Sequence, residues 1–168
     1  IFWLAPKLEQ ANIVYDNFYQ MLKKEPELAA LSKKRCSDIY IDESNTAIKP
    51  LAFNAKKSDG FNPHLVVNDE VASWRGDAGL KQYEVMKSAL GARRQPFILS
   101  ISTAGYENDG IYDELMKRST AFLKGNSKER RLLPFLYMVD DPKKWNDIEE
   151  LKKANPNMGV SVFPHFFV

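Results

Sequence analysis

A chain of 168 residues is long enough for one domain with a buried core. Hydrophobic residues make up 44% and charged residues 27%, a globular balance, and no apolar run approaches the ~20 residues that cross a bilayer. The net charge of +2 is too small to argue nucleic-acid binding, and one cysteine, Cys36, excludes an intrachain disulfide and a cysteine-cluster metal site.

Ile1 to Ala5 read as a strand, entered without a methionine or a basic lead, as in a truncated or processed chain. Pro6 ends it, because proline brings no N–H to a ladder. Residues 7–24 predict a helix, with Leu8, Ala11, Val14, Tyr15, Phe18, Met21 and Leu22 at helical spacing. Lys23 and Lys24 complement its carbonyl end. Pro26 opens a short helical piece through Leu31. The basic run Lys33-Lys34-Arg35 reads as a solvated face, as does Arg130-Arg131. Ile39 to Ile41 and Thr46 to Phe53 predict two strands joined by the polar cluster Asp42-Glu43-Ser44-Asn45, a hairpin or an antiparallel addition to a larger sheet. Lys56 to Pro63 reads as a loop with Asp59-Gly60 as its turn.

Residues 64–68 form a short, nearly continuous apolar run, the signature of a strand buried on both faces of a parallel sheet. Residues 78–90 predict a helix with Leu80, Tyr83, Met86 and Leu90 on one face and Gly91 as its cap. Residues 97–104 predict the next strand. Asp109 is offered as the N-cap of a helix over 110–124, closed by Gly125. Residues 131–139 read as a further apolar strand, and Asp147 to Ala154 as a short helix stopped before Pro156. Strands alternating with helices predict an α/β domain with a mainly parallel sheet and helices on both faces.

Two strand ends carry the chemistry. Asp69-Glu70 follows the strand at 64–68, and Ser102-Thr103-Ala104-Gly105 ends the strand at 97–104. In an open parallel sheet, ligands bind beyond the carboxyl ends of the strands. An Asp there can hold Mg²⁺ through waters, and a neighbouring Glu can orient an attacking water or accept its proton. A hydroxyl at the end of the next strand in the chain can report whether a γ-phosphate is present. The competing structural readings are a surface loop or helix cap for Asp69-Glu70, and a plain turn with a permissive Gly105 for the second stretch. Arg93 and Arg94 follow a helix end; they either complete its dipole or touch DNA phosphate or a neighbouring subunit's nucleotide. Trp3, Trp74 and Trp145 read as core or lid packing. His64 reads as structural, and Cys36 has no paired histidine to make it a nucleophile.

The chain resembles the large terminase subunit of tailed bacteriophages. The resemblance rests on the following segments, in this order: Ala5-Pro6-Lys7-Leu8-Glu9-Gln10-Ala11, Asp59 to His64 leading into the acidic pair, Ala92-Arg93-Arg94-Gln95-Pro96 before Ser102 to Gly105, Trp145, and Ala154-Asn155-Pro156. It implies a RecA-like, P-loop NTPase sheet, incomplete at the N-terminus, with residues 1–140 as a partial ATPase domain and 141–168 as a lid or linker segment. It implies Asp69 as the Mg²⁺ ligand, Glu70 as the catalytic carboxylate, and Ser102, Thr103, Ala104 and Gly105 as the nucleotide sensor and coupling loop. ATP and Mg²⁺ are the implied cofactors of the intact parent. Double-stranded DNA, the portal protein and the small terminase subunit are its implied partners, in a homo-oligomeric motor in the host cytoplasm. The phosphate-cradling G-x-x-x-x-G-K-S/T does not occur in these 168 residues. The expectation is therefore that it precedes Ile1, that the chain alone binds no ATP tightly, and that Ser161 to Val168 marks a truncation or a change of frame. The residues leave two alternatives open: a P-loop NTPase of helicase or AAA-like type, and an inactive prophage-derived interaction module.

Overall fold

The structure is a computed structural model that describes residues 1–53, 60–106, 109–163 and 165. The first half of the predicted loop at 56–63, with its turn residue Asp59, and four of the last five residues lie outside the described residues. The chain divides into two compact units, 1–116 and 117–168.

The first unit is built on a six-stranded sheet. Its strands are β1 (Phe2–Ala5), β2 (Ser32–Lys34), β3 (Ile39–Ile41), β4 (Thr46–Ala52), β5 (Leu65–Asn68) and β6 (Phe97–Ser100), in the order β2-β3-β4-β1-β5-β6. β4, β1, β5 and β6 run parallel, and β2 and β3 join antiparallel beside β4. The predicted hairpin is therefore the antiparallel margin of a mainly parallel sheet.

Neighbouring residues of β1 point to opposite faces, as a pleated strand requires. Trp3 packs with Tyr15 and Phe18 of α1 (Leu8–Lys24) and with Ile39 and Ile48. Leu4 packs with Val66, Val71 and Trp74, and with Tyr83 and Met86 of α3 (Gly76–Ala89), and this core also holds Ile111. Helices thus cover both faces. The Gln10 carboxamide oxygen accepts the Lys7 backbone N–H at 3.3 Å at the start of α1, and α2 (Pro26–Leu31) follows with proline in its first turn, where no N–H is missed.

Residues 32–34 form β2, a strand the sequence reading did not foresee: the backbone supplies the ladder to β3, while Lys33 and Lys34 stay exposed and the Lys34 ammonium lies 3.9 Å from the centre of the Tyr15 ring. Four expectations are corrected. Gly91 does not cap α3 in the left-handed region; the chain tightens into a 3₁₀ turn at Leu90–Ala92. β6 ends at Ser100, not at residue 104. The Ile101 amide still donates to the Asn68 carbonyl at 2.9 Å, but β5's own chain then turns away at Glu70 and offers no further ladder. Asp109 is not an N-cap: α4 spans Ile111–Leu123, Asp109 is left-handed with φ 51°, and the Gly110 amide donates to the Asp113 carboxylate at 3.1 Å. Residues 131–139 form no strand; their side chains alternate between exposed and half-buried, and no strand pairs with them among the described residues. An apolar run becomes a strand only where another strand takes up its backbone, and Pro134 removes one donor.

In the second unit, α4 closes at Gly125 as predicted. Gly125 adopts φ 73°, its amide donates to the Phe122 carbonyl at 3.0 Å, and the Asn126 amide donates to the Ala121 carbonyl at 2.8 Å. These are the paired bonds of a Schellman ending. Arg118 grips Glu129 with two nitrogens, at 3.0 and 2.7 Å. α5 (Ile148–Ala154) starts at Asp147, whose carboxylate accepts the Glu149 amide at 2.8 Å. Glu150 accepts the Asp140 amide at 2.8 Å and the Lys153 ammonium at 2.6 Å, and the lysine holds its carboxyl below the usual range. No helix among the described residues is long and apolar enough to cross a membrane.

Candidate active site

β5 and β6 are adjacent and parallel, in the register Asn68 opposite Ser100. Their carboxyl ends therefore leave the sheet side by side, and the two segments singled out by the sequence meet there. The Asp69 amide donates to the Leu4 carbonyl at 2.8 Å, so Asp69 is still anchored to β1. Glu70 then turns into the left-handed region, φ 51° and ψ 52°. A non-glycine residue rarely sits there without support from its surroundings. The support is visible: the Glu70 carbonyl accepts the Ser73 amide at 2.9 Å and the Ser73 hydroxyl at 2.7 Å, closing a 3₁₀ turn at Val71–Ser73.

The second loop is laced to the first. The Val71 amide donates to the Ile101 carbonyl at 3.2 Å. The Ser102 hydroxyl accepts the Ala72 amide at 2.9 Å and donates to the Thr103 carbonyl at 2.9 Å. The Thr103 hydroxyl donates to Glu70 Oε1 at 2.6 Å. Gly105 comes so close that a Cβ on it would stand 2.5 Å from the Ala72 Cβ, and its amide lies 3.4 Å from the Tyr112 hydroxyl oxygen that accepts from it. A cleft of about 420 Å³ opens between the loops, lined by Glu70, Ser73, Arg75, Gly105 and Tyr106 among others. Ala104 also lines it.

Burial pushes the Asp69 carboxyl above its ordinary range; the Glu70 amide pulls it back, and the neighbouring Glu70 charge raises it. Among the described residues no group of three or more His, Cys, Asp or Glu side chains is arranged to cage a metal. One strand-end carboxylate is nevertheless the donor set that suits Mg²⁺, which keeps several waters and takes its other oxygens from phosphates.

Arg93 and Arg94 stand elsewhere. They precede β6, at the amino ends of the parallel strands, and an Arg93 guanidinium nitrogen donates to the Asn62 carbonyl at 2.9 Å. Arg94 is exposed. Two residues of the site escaped the sequence reading. Trp74, taken there for packing, is fully buried, meets Phe53 edge-on at 4.3 Å, and donates its indole N–H to the Asp69 carbonyl at 2.9 Å. Asn68, 1% exposed, donates its side-chain amide to the Ser100 hydroxyl at 3.2 Å. A polar side chain closing an otherwise apolar strand was the available signal for Asn68.

Fold and site define a class: an α/β sheet that gathers an acidic pair and a hydroxyl-bearing loop at the carboxyl ends of adjacent parallel strands. The sequence family described as "Terminase large subunit, ATPase domain" matches residues 1–120. Protein YmfN of Escherichia coli strain K12 is 37% identical over 113 residues, which are 67% of this chain and 24% of that protein. The crystal structure of the HK97 bacteriophage large terminase matches 99% of this chain and 34% of its own, with a TM-score of 0.80 and 20% identity, a likeness of fold. This chain belongs to the terminase large-subunit ATPase-domain family. It spans about a quarter of the curated relative and about a third of the solved structure. Membership sets aside the helicase and AAA-like alternative.

Proposed function

We propose that this chain is part of the motor domain of a viral terminase large subunit, hydrolysing ATP to drive double-stranded DNA into a procapsid. The observation that carries this reading is the meeting of the two strand ends in a chain of this family: the Thr103 hydroxyl donates to Glu70, the residue after Asp69, and Glu70, Ala104 and Gly105 line one cleft. Asp69 would hold Mg²⁺, which would neutralise charge on the β- and γ-phosphates. Glu70 orients the attacking water and takes its proton at a carboxylate oxygen. The loop from Ser102 through Gly105 passes the nucleotide state to a moving element. Exposed Arg93 and Arg94 are the candidate contacts for DNA phosphate or for a neighbouring subunit's nucleotide; one Arg93 nitrogen also donates to the Asn62 carbonyl, and the guanidinium keeps other donors. The portal protein, the small terminase subunit and further copies of the large subunit are the partners this reading supplies, in the cytoplasm of the host bacterium.

The test is magnesium-dependent ATP turnover by the full-length protein that contains this chain. Glu70→Ala is expected to lower kcat by roughly a hundredfold or more, the scale of a lost general base. Asp69→Asn is expected to raise the Mg²⁺ concentration required. The 168 residues alone are expected to give no turnover, since they contain no G-x-x-x-x-G-K-S/T to hold the phosphates. Full turnover by Glu70→Ala would overturn the assignment of Glu70. Failure of the intact protein to bind nucleotide would favour the inactive interaction module.

A further inference from the structure

Resting on the reading of Glu70 above, we propose that Thr103 is the positioning residue of Glu70: its hydroxyl sets the direction of the carboxylate that acts on water. The main chain of Glu70 is already locked, because its carbonyl closes the 3₁₀ turn through Ser73. What main-chain bonds leave open is the side chain, whose torsions swing the carboxylate across the mouth of the cleft. The Thr103 hydroxyl fixes it, donating to Oε1 at 2.6 Å. That is the distance of a charge-assisted O–H···O⁻ bond, about 2.5–2.7 Å and roughly twice as strong as a neutral one.

Thr103 can do this because its own backbone is held. Ser102 receives the Ala72 amide and donates to the Thr103 carbonyl, so one hydroxyl ties Thr103 to the turn that Glu70 begins. Gly105 closes the contact by lying against Ala72. The two neighbouring hydroxyls thus have separate tasks: Ser102 fastens loop to loop, and Thr103 aims the carboxylate. A threonine hydroxyl has one proton to donate. Here it goes to Glu70, so within the coupling loop Thr103 acts through the carboxylate and not as a direct donor to a phosphate oxygen.

The experiment compares Thr103→Val, which keeps the shape and removes the hydroxyl, with Thr103→Ser, which restores the hydroxyl, and with Glu70→Ala, all in the full-length protein. Thr103→Val is expected to lower kcat about tenfold while KM for ATP changes less than about twofold, and Thr103→Ser to recover most of kcat. A second readout needs no turnover: in the ¹³C-labelled protein, the Glu70 carboxyl resonance, assigned with Glu70→Gln, moves in Thr103→Val and returns in Thr103→Ser. If Glu70→Ala abolishes turnover while Thr103→Val retains it, the positioning role fails and the reading of Glu70 survives. If Glu70→Ala turns over normally, that reading fails and takes the positioning role with it. Equal losses in Thr103→Val and Thr103→Ser, with an unmoved carboxyl resonance, would assign Thr103 to packing and overturn the proposal.

Discussion

Trp74 is the residue on which core and chemistry coincide. Its ring is fully buried against Phe53, and its N–H holds the carbonyl of Asp69, one peptide before the carboxylate assigned to the water. Trp74→Phe keeps most of the apolar contact and removes the donor. We expect a loss of about 1–3 kcal/mol, seen as a lower denaturation midpoint, because a hydrogen bond and some volume go together. An unchanged midpoint would mean that the carbonyl finds another donor. Asp38 offers a pH-dependent counterpart away from the site. Arg35 donates to it at 2.5 and 2.7 Å, and Lys49 lies at 3.5 Å. The Arg35 hydrogen bond, opposed by burial and assisted by both cations, holds the Asp38 carboxyl below its usual range. A carboxyl lowered by folding adds stability above its unfolded pKa, about 3.9 for Asp, and loses it as pH falls through the folded value. Asp38→Asn should therefore destabilise the chain at neutral pH and converge with the parent in acid. Denaturant midpoints at several pH values would check this, and a pH-independent gap would refute it.

Among the elements, α3 sets two effects against each other at Gly79. An alanine in a helix interior is favoured over glycine by about 1 kcal/mol. Here its Cβ would stand 2.6 Å from the Trp74 carbonyl oxygen, backbone that cannot step aside as a flexible side chain could. Crowding of this kind costs about 1–3 kcal/mol, so it outweighs propensity. Gly79→Ala is expected to lower the thermal midpoint; a rise would mean that α3 slides freely over the Trp74 turn. The same balance explains which elements were legible. α1 and α3 announced themselves because apolar side chains recur along one face, and β5 because burial on both faces leaves an unbroken apolar run. The meeting of Asp69-Glu70 with Ser102–Gly105 was legible because parallel neighbours end on the same side. β2 was not, because its pairing lies in backbone bonds that Ser32, Lys33 and Lys34 do not advertise. The reverse error arose at 131–139, where an apolar sequence has no strand beside it. Trp74's grip on Asp69 was equally hidden, since nothing in the spacing distinguishes a packed indole from one that also donates.

At the scale of the whole molecule, β6 has a strand neighbour only in β5 among the described residues. Phe97, Leu99 and Ile101 are exposed along it, and no charged residue interrupts the segment from Phe97 to Ser102. Natural sheets blunt such margins with lysine, proline or a bulge. We expect the 168-residue chain to associate with rising concentration, and Leu99→Lys to weaken that association. Light scattering across a dilution series decides it: a monomer at every concentration would show that this margin is covered.

Gly105 also carries a message for anyone comparing relatives of this chain. Its backbone is outside the left-handed region, so glycine is not required there by its torsions. It is required by Ala72, whose methyl occupies the space that a side chain would enter. Positions 72 and 105 therefore share room for a single methyl group. Among sequences that keep this loop pairing, alanine at 105 should appear together with glycine at 72, and larger residues at neither. Gly105→Ala alone should lower the thermal midpoint, and the double exchange Ala72→Gly with Gly105→Ala should recover most of that loss.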